Sequence, residues 1–194
     1  MEKGFTSETS MIEEIIAPEN DLEHSIISEK SWREGALWGK PRWGHPEGKI
    51  IYHVREVLDN IDRLKVDKKR RLDLRLIAIT HDNFKHLEDQ SRPRNWDLHH
   101  AVYARKFAEK FIIDTQVLDV IELHDEAFYA WRLSHPFQMP DQGYLKLEKL
   151  LSRLNGNLDL FYQFFKCDTS TGDKIQTPVT WFEEIVNGID PVYL

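Results

Sequence analysis

The sequence predicts an all-α protein, a single-domain helical bundle. Apolar residues recur at helical spacing in several separate segments, and breaks rich in Gly and Pro divide those segments. With 194 residues, 41% hydrophobic content, ten Phe, six Trp and six Tyr, the chain has enough material to bury one good core. We divide it into N-terminal accessory helices and a loop at 1–43, a helical core at 44–176, and a C-terminal helix and tail of the same domain at 177–194.

In chain order, MIEEIIAP is a short amphipathic piece stopped by Pro18. Asn20 or Asp21 caps a second helix running through Leu22, Ile26 and Ile27 towards Trp32. The segment GALWGKPRWGHPEG then reads as an irregular, aromatic-rich loop, because Gly and Pro recur through it. Its His45 and Glu47 either touch substrate or belong to a surface turn. From Lys49 a helix carries Ile50, Val54, Val57, Leu58 and Ile61 on one stripe, and His53 falls on that stripe. The charged run from Arg63 to Arg71 solvates the joint before the next helix, since it has no Gly-rich loop to cradle a phosphate.

The central stretch is RLDLRLIAITHDNFKH, residues 71–86. Leu74, Ile77 and Ala78 place His81 next on the apolar face, with Asp82 beside it and Lys85 three residues later. A polar loop containing Arg92 and Arg94 leads to a helix starting near Asp97. There Ala104, Phe107, Ala108 and Phe111 follow His100 in helical register, so His100 faces the core and His99 does not. The next stripe, Val117, Val120 and Ile121, leads to His124 and leaves Asp125 turned towards solvent. Residues 128–143, rich in Trp, Pro and Gly, read as a connection that packs aromatics over the site or covers its mouth. Leu147, Leu150, Leu151 and Leu154 mark another helix. Leu158, Phe161 and Phe165 mark the one after it, whose stripe continues to Asp168, and Thr177-Pro178 opens a last short helix.

Five helices thus each place a His or Asp on a buried face: His53, the His81-Asp82 pair, His100, His124 and Asp168. Burying one such group without a partner costs several kcal/mol, roughly, so five are best explained if they meet around a cation. Four imidazoles with two carboxylates suit a borderline or hard transition metal, and six ligands are enough for two ions bridged by Asp82.

The order H, HD, H, H, D resembles the HD-domain superfamily of metal-dependent phosphohydrolases from about Gly44 to Gly172. HDNFK lines up with that family's HD-x-G-K signature, with Phe84 where Gly is usual and Lys85 in the Lys position. The resemblance implies an HD-type bundle in which His53, His81, Asp82 and Asp168 hold a first metal, Asp82 bridges, and His100 and His124 hold a second. Asp159 and Asp173 are alternatives to Asp168, although neither continues its stripe. One or two divalent ions (Mn, Co, Ni, Fe or Mg) would then activate water for attack on a phosphate ester. Lys85, Arg92 and Arg94 are candidate phosphate contacts, the arginines reading equally well as a solvated loop. HD-type di-iron oxygenases and a non-catalytic nucleotide-binding module are the alternative readings.

The formal net charge of -7 argues against a nucleic-acid polymer or a membrane surface as partner and favours a small anionic, phosphate-containing substrate, such as a nucleotide or related phosphomonoester. One Cys, no apolar leader at the N-terminus and no apolar run of about 18 residues make the cytoplasm the expected compartment. Aromatics in the loops leave a homodimer open.

Overall fold

The computed structural model describes residues 2–194, with side chains from residue 8 onward. Among these residues there are eleven α-helices and no strand. Their order is α1 (Glu2–Ile16), α2 (Asp21–Ser28), α3 (Lys30–Ala36), α4 (Ile50–Arg63), α5 (Lys68–Thr80), α6 (His100–Ala108), α7 (Thr115–Leu123), α8 (Glu126–Ser134), α9 (Pro140–Leu154), α10 (Leu158–Thr169) and α11 (Thr177–Ile185). One contiguous apolar core runs from Ile12 to Val186, so the helices at both ends pack on the same interior as the rest. No helix is long and apolar enough to cross a membrane.

The bundle is built around α5, which packs against α4, α7 and α10. Asp67 caps its start by accepting from the Arg70 N–H. Every residue from Leu74 through Phe84 is buried, so its second half is apolar all round, as a helix enclosed by neighbours requires. Arg75 is the exception in chemistry. It is buried and held by a forked pair of bonds to the equally buried Glu23, at 2.9 and 2.7 Å.

The expected second helix is two helices. Asn20 caps α2 by accepting from the Glu23 N–H, and an extended Glu29 separates α2 from α3. From α3, Trp32 Nε1 donates to Ile79 O at 2.8 Å, and Asn83 Nδ2 donates back to Trp32 O at 3.2 Å. These bonds fix the end of α5, where His81 and Asp82 lie. A further correction concerns residues 128–143. Most of this stretch is helical, because α8 extends to Ser134 and α9 begins at Pro140, and the two pack as a hairpin.

Candidate metal centre

His81 and Asp82 follow the last turn of α5 directly, and the same arrangement recurs where α7 ends at His124. In both places the imidazole turns back on its own helix. His81 Nδ1 donates to Ala78 O at 2.9 Å and His124 Nδ1 donates to Ile121 O at 2.8 Å. A carbonyl can only accept, so both rings carry their proton on Nδ1 and present a bare Nε2 lone pair inward. At His53, on α4, the Thr171 hydroxyl gives its proton to Asp168 O at 2.7 Å and so accepts from Nδ1 at 3.3 Å. His100, at the start of α6, points Nδ1 at Glu88 Oε1, 3.4 Å away. All four imidazoles therefore turn Nδ1 outward and Nε2 to the centre, the orientation that outer hydrogen bonds impose on metal-ligating histidines.

The inward atoms fall into two groups that share Asp82. In the first, His53 Nε2 is 3.3 Å from His81 Nε2, 2.9 Å from Asp168 Oδ1 and 3.6 Å from Asp82 Oδ2, and His81 Nε2 is 3.5 Å from Asp82 Oδ2. In the second, Asp82 Oδ1 is 3.3 Å from His100 Nε2 and 3.4 Å from His124 Nε2, and these two nitrogens are 3.3 Å apart. Ligands about 2.1 Å from a common ion stand about 3.0 Å apart at adjacent octahedral corners and about 3.4 Å apart in a tetrahedron. The spacings in the second group lie in that range, and those in the first scatter around it, from 2.9 Å to the 3.8 Å between His81 Nε2 and Asp168 Oδ1. Lone pairs facing one another or a carboxylate at these distances repel unless a proton or a metal cation lies between them. Asp82 Oδ1 is a buried acceptor that no well-formed hydrogen bond reaches, the kind of orphan a cation would satisfy. Metal ions therefore fit the residues present, and the clusters His53-His81-Asp82 and Asp82-His100-His124 are both suited to hold one.

The electrostatics agree. Burial alone would raise the Asp82 carboxyl, but Lys85 and His81 hold it well below the usual carboxylate range. For Asp168 burial is likewise overcome, chiefly by Lys174 and His53. Burial pushes His81 down to about 3, leaving it neutral. His124, although burial opposes it, is raised to about 9 by Asp125 and Asp82, the two carboxylates that its Nε2 faces. The groups thus sit as ionised carboxylates around imidazoles, two of which have their Nδ1 proton directed outward.

Two residues join the centre against expectation. Asp125 Oδ2 lies 3.4 Å from His100 Nε2 and 3.7 Å from His124 Nε2, so its carboxylate faces the second group and not solvent. Glu47 is buried at its side chain, accepts from or faces His45 Nδ1 at 2.9 Å, and stands 3.7 Å from His53 Nδ1, behind the first group. His99 is also buried, contrary to its expected outward position. It caps α6 by accepting from the Ala101 N–H, while its Nε2 meets Tyr129 Oη at 2.9 Å and Glu88 at 3.2 Å, away from Asp82.

A cavity of about 230 Å³ opens onto the cluster, lined by Asp82, His124, Asp125 and Asp168 together with Lys85, Lys174, His45, Trp43, Phe128, Phe165 and Ile175. Lys85 Nζ donates to Asp82 Oδ2 in a short bond, and Lys174 Nζ donates to Asp168 Oδ1 at 3.0 Å. Phe84, in the position where the signature usually has Gly, is buried against Phe107. Neither expected arginine lines the cavity. Arg92 is exposed, and Arg94 donates to Glu88 Oε1 at 3.0 Å with its guanidinium over Trp96, so it supports His100 through Glu88. Asp159 and Asp173 are exposed, and Asp173 accepts from the Gly44 N–H at 2.7 Å instead of joining the centre. No protein-family model, curated protein or solved structure matches the chain. Its own geometry characterises it as an all-helical protein with a buried His/Asp cluster that could hold metal ions.

Proposed function

We propose that the protein is an HD-type, metal-dependent phosphohydrolase that cleaves a small phosphate ester. The observation that carries the proposal is that two ligand groups share Asp82 and open, beside two lysines, onto a single cavity. The resemblance of the H, HD, H, H, D order to the HD-domain superfamily favours the same chemistry. His53, His81, Asp82 and Asp168 hold a first ion, and His100 and His124 hold a second with Asp82 as the bridge. Asp125 adds a carboxylate to that second set.

The chemistry such ions supply when bound is a water acidic enough to ionise near neutral pH and positive charge facing the phosphoryl oxygens. The chain's own part is orientation and charge. Lys85 and Lys174 are tied to the carboxylates of Asp82 and Asp168. A cation that takes over those carboxylates' charge leaves both ammonium groups available for phosphoryl oxygens. Lys174 thereby takes the role expected of Arg92 and Arg94. Ala78 O, Ile121 O and the Thr171 hydroxyl hold three of the imidazoles, which limits the reorganisation needed when substrate enters.

The test is elemental analysis of the purified protein, followed by a phosphate-release screen over sugar phosphates, nucleoside monophosphates and phosphodiesters with and without chelator. We expect release that chelation abolishes and added Mn, Co, Ni, Fe or Mg restores. Bound iron with oxygen consumption and no phosphate release would replace this reading with the di-iron oxygenase, and a protein that takes up no metal would end both.

A further inference from the structure

We infer that the substrate is a phosphate monoester whose organic part is a flat, largely apolar group held against Trp43. The phosphate end of this inference rests on the phosphohydrolase reading; the aromatic end rests on the cavity alone. Exposure rises along the cavity wall. The Asp82 side chain at the floor is 2% exposed, Lys85 and Lys174 are 17% and 18% exposed, and Ile175 and Trp43 at the mouth are 41% and 75% exposed. A ligand that matches this gradient places its anionic head inward between the two lysines and its apolar body at the rim.

Trp43 is suited to receive that body. Its indole makes no ring or cation contact within the described residues, whereas most aromatics around it are packed against another ring. The loop that carries it is nevertheless fixed. Arg42 and His45 are bridged through their backbones, and the Gly44 N–H donates to Asp173 at 2.7 Å, joining this loop to the one that carries Lys174 and Ile175. A pre-positioned, uncovered indole that lines the same cavity as Phe128 and Ile175 is a platform for stacking, a contact that tolerates many flat groups. About 230 Å³ accommodates a phosphoryl group and one ring system, and no length of polymer.

Charge selects a monoester. Three carboxylates and two ammonium groups line the cavity and, with the lining histidines neutral as metal ligation requires of His124, sum to one net negative charge. Two divalent ions would change this to three positive. A monoester, whose second pKa is about 6 and which is therefore a dianion at neutral pH, matches this better than a singly charged diester.

The probes are phenylphosphonate and methylphosphonate, dianions in mildly alkaline buffer that the enzyme cannot hydrolyse, titrated calorimetrically into the metal-loaded full-length protein. We expect phenylphosphonate to bind about tenfold more tightly, the size of a single stacking contact. Trp43→Ala should bring that ratio to about one without changing methylphosphonate affinity, and Trp43→Phe should restore most of it. Lys174→Gln should weaken both probes to the same degree. Equal affinities in the wild type, or a preference that survives Trp43→Ala, would overturn the aromatic inference and leave the phosphohydrolase reading intact. If the metal-loaded protein binds neither phosphonate, both fail.

Discussion

Gly35 offers a test that reaches the candidate metal centre without touching a proposed ligand. It lies on α3 against the backbone that follows the His81-Asp82 pair, and a Cβ added there would stand 1.6 Å from Asn83 O. Ordinary contact begins near 3.4 Å, so α3 and the Asn83 peptide must separate by roughly 2 Å to admit Gly35→Ala. That displacement strains the Trp32 Nε1 to Ile79 O and Asn83 Nδ2 to Trp32 O bonds, which are both buried. Overpacking of about 1–3 kcal/mol and about 1 kcal/mol for each weakened bond give a loss of about 3–5 kcal/mol. For a chain of this length that lowers the melting temperature by about 6–20 °C. Because ligand distances must hold to within about 0.2 Å for metal to bind, Gly35→Ala should also lose a large part of its metal. Calorimetry and elemental analysis of the same preparation read both effects. A variant that melts within 2 °C or so of wild type and carries its full metal complement would refute the close-approach reasoning.

Other substitutions separate the roles around the centre. Asp125→Asn should reduce metal content by about one ion per chain while keeping the fold, as the carboxylate faces His100 and His124; unchanged stoichiometry would remove Asp125 from the ligand set. His99→Ala should keep its metal but lose about 1 kcal/mol of stability with the α6 cap, measured by urea unfolding, and metal loss matching His100→Ala would contradict the assignment. Arg71 donates to Glu19 at 2.6 Å and holds its carboxyl below the ordinary value. A depressed carboxylate pKa stabilises the fold above the unfolded pKa, 4.5 here, and loses that effect as pH falls through the folded value. The stability gap between wild type and Arg71→Ala should therefore be largest near neutral pH and shrink below pH 4.5; a gap independent of pH would count against the pairing.

The residues that could be read from sequence are those for which helical periodicity carries through. His53 lies inside a helix and His100 begins one, each in register with core residues, so that register fixes their direction, and Asp168 ends such a stripe. Periodicity failed at Asp125 because α7 stops at Leu123 and the chain turns straight into α8, which brings two consecutive side chains to the same centre. Glu47 and Lys174 lie on loops, where no repeat exists to point them inward. His99 looked outward on a helical wheel, yet it precedes α6 as its cap, where the wheel does not apply. Residues 128–143 resembled a connection because of Pro140 and Gly143. Pro140 begins α9 at the position where its missing N–H costs nothing, and Gly143 is there for packing, since a Cβ would stand 1.9 Å from Ser134 Oγ on α8. Punctuation residues marked a helix start and a helix-helix contact, and neither function is distinguishable from a turn without the partner element.

The most direct measurement is metal stoichiometry after saturation with a single divalent ion such as Mn²⁺, compared across wild type, His100→Ala, His81→Ala and Asp82→Ala. If Asp82 bridges two ions, wild type should hold close to two per chain, His100→Ala and His81→Ala about one each, and Asp82→Ala close to none. Metal retained by Asp82→Ala at the wild-type level, or a wild type that takes up none, would contradict the shared two-ion centre.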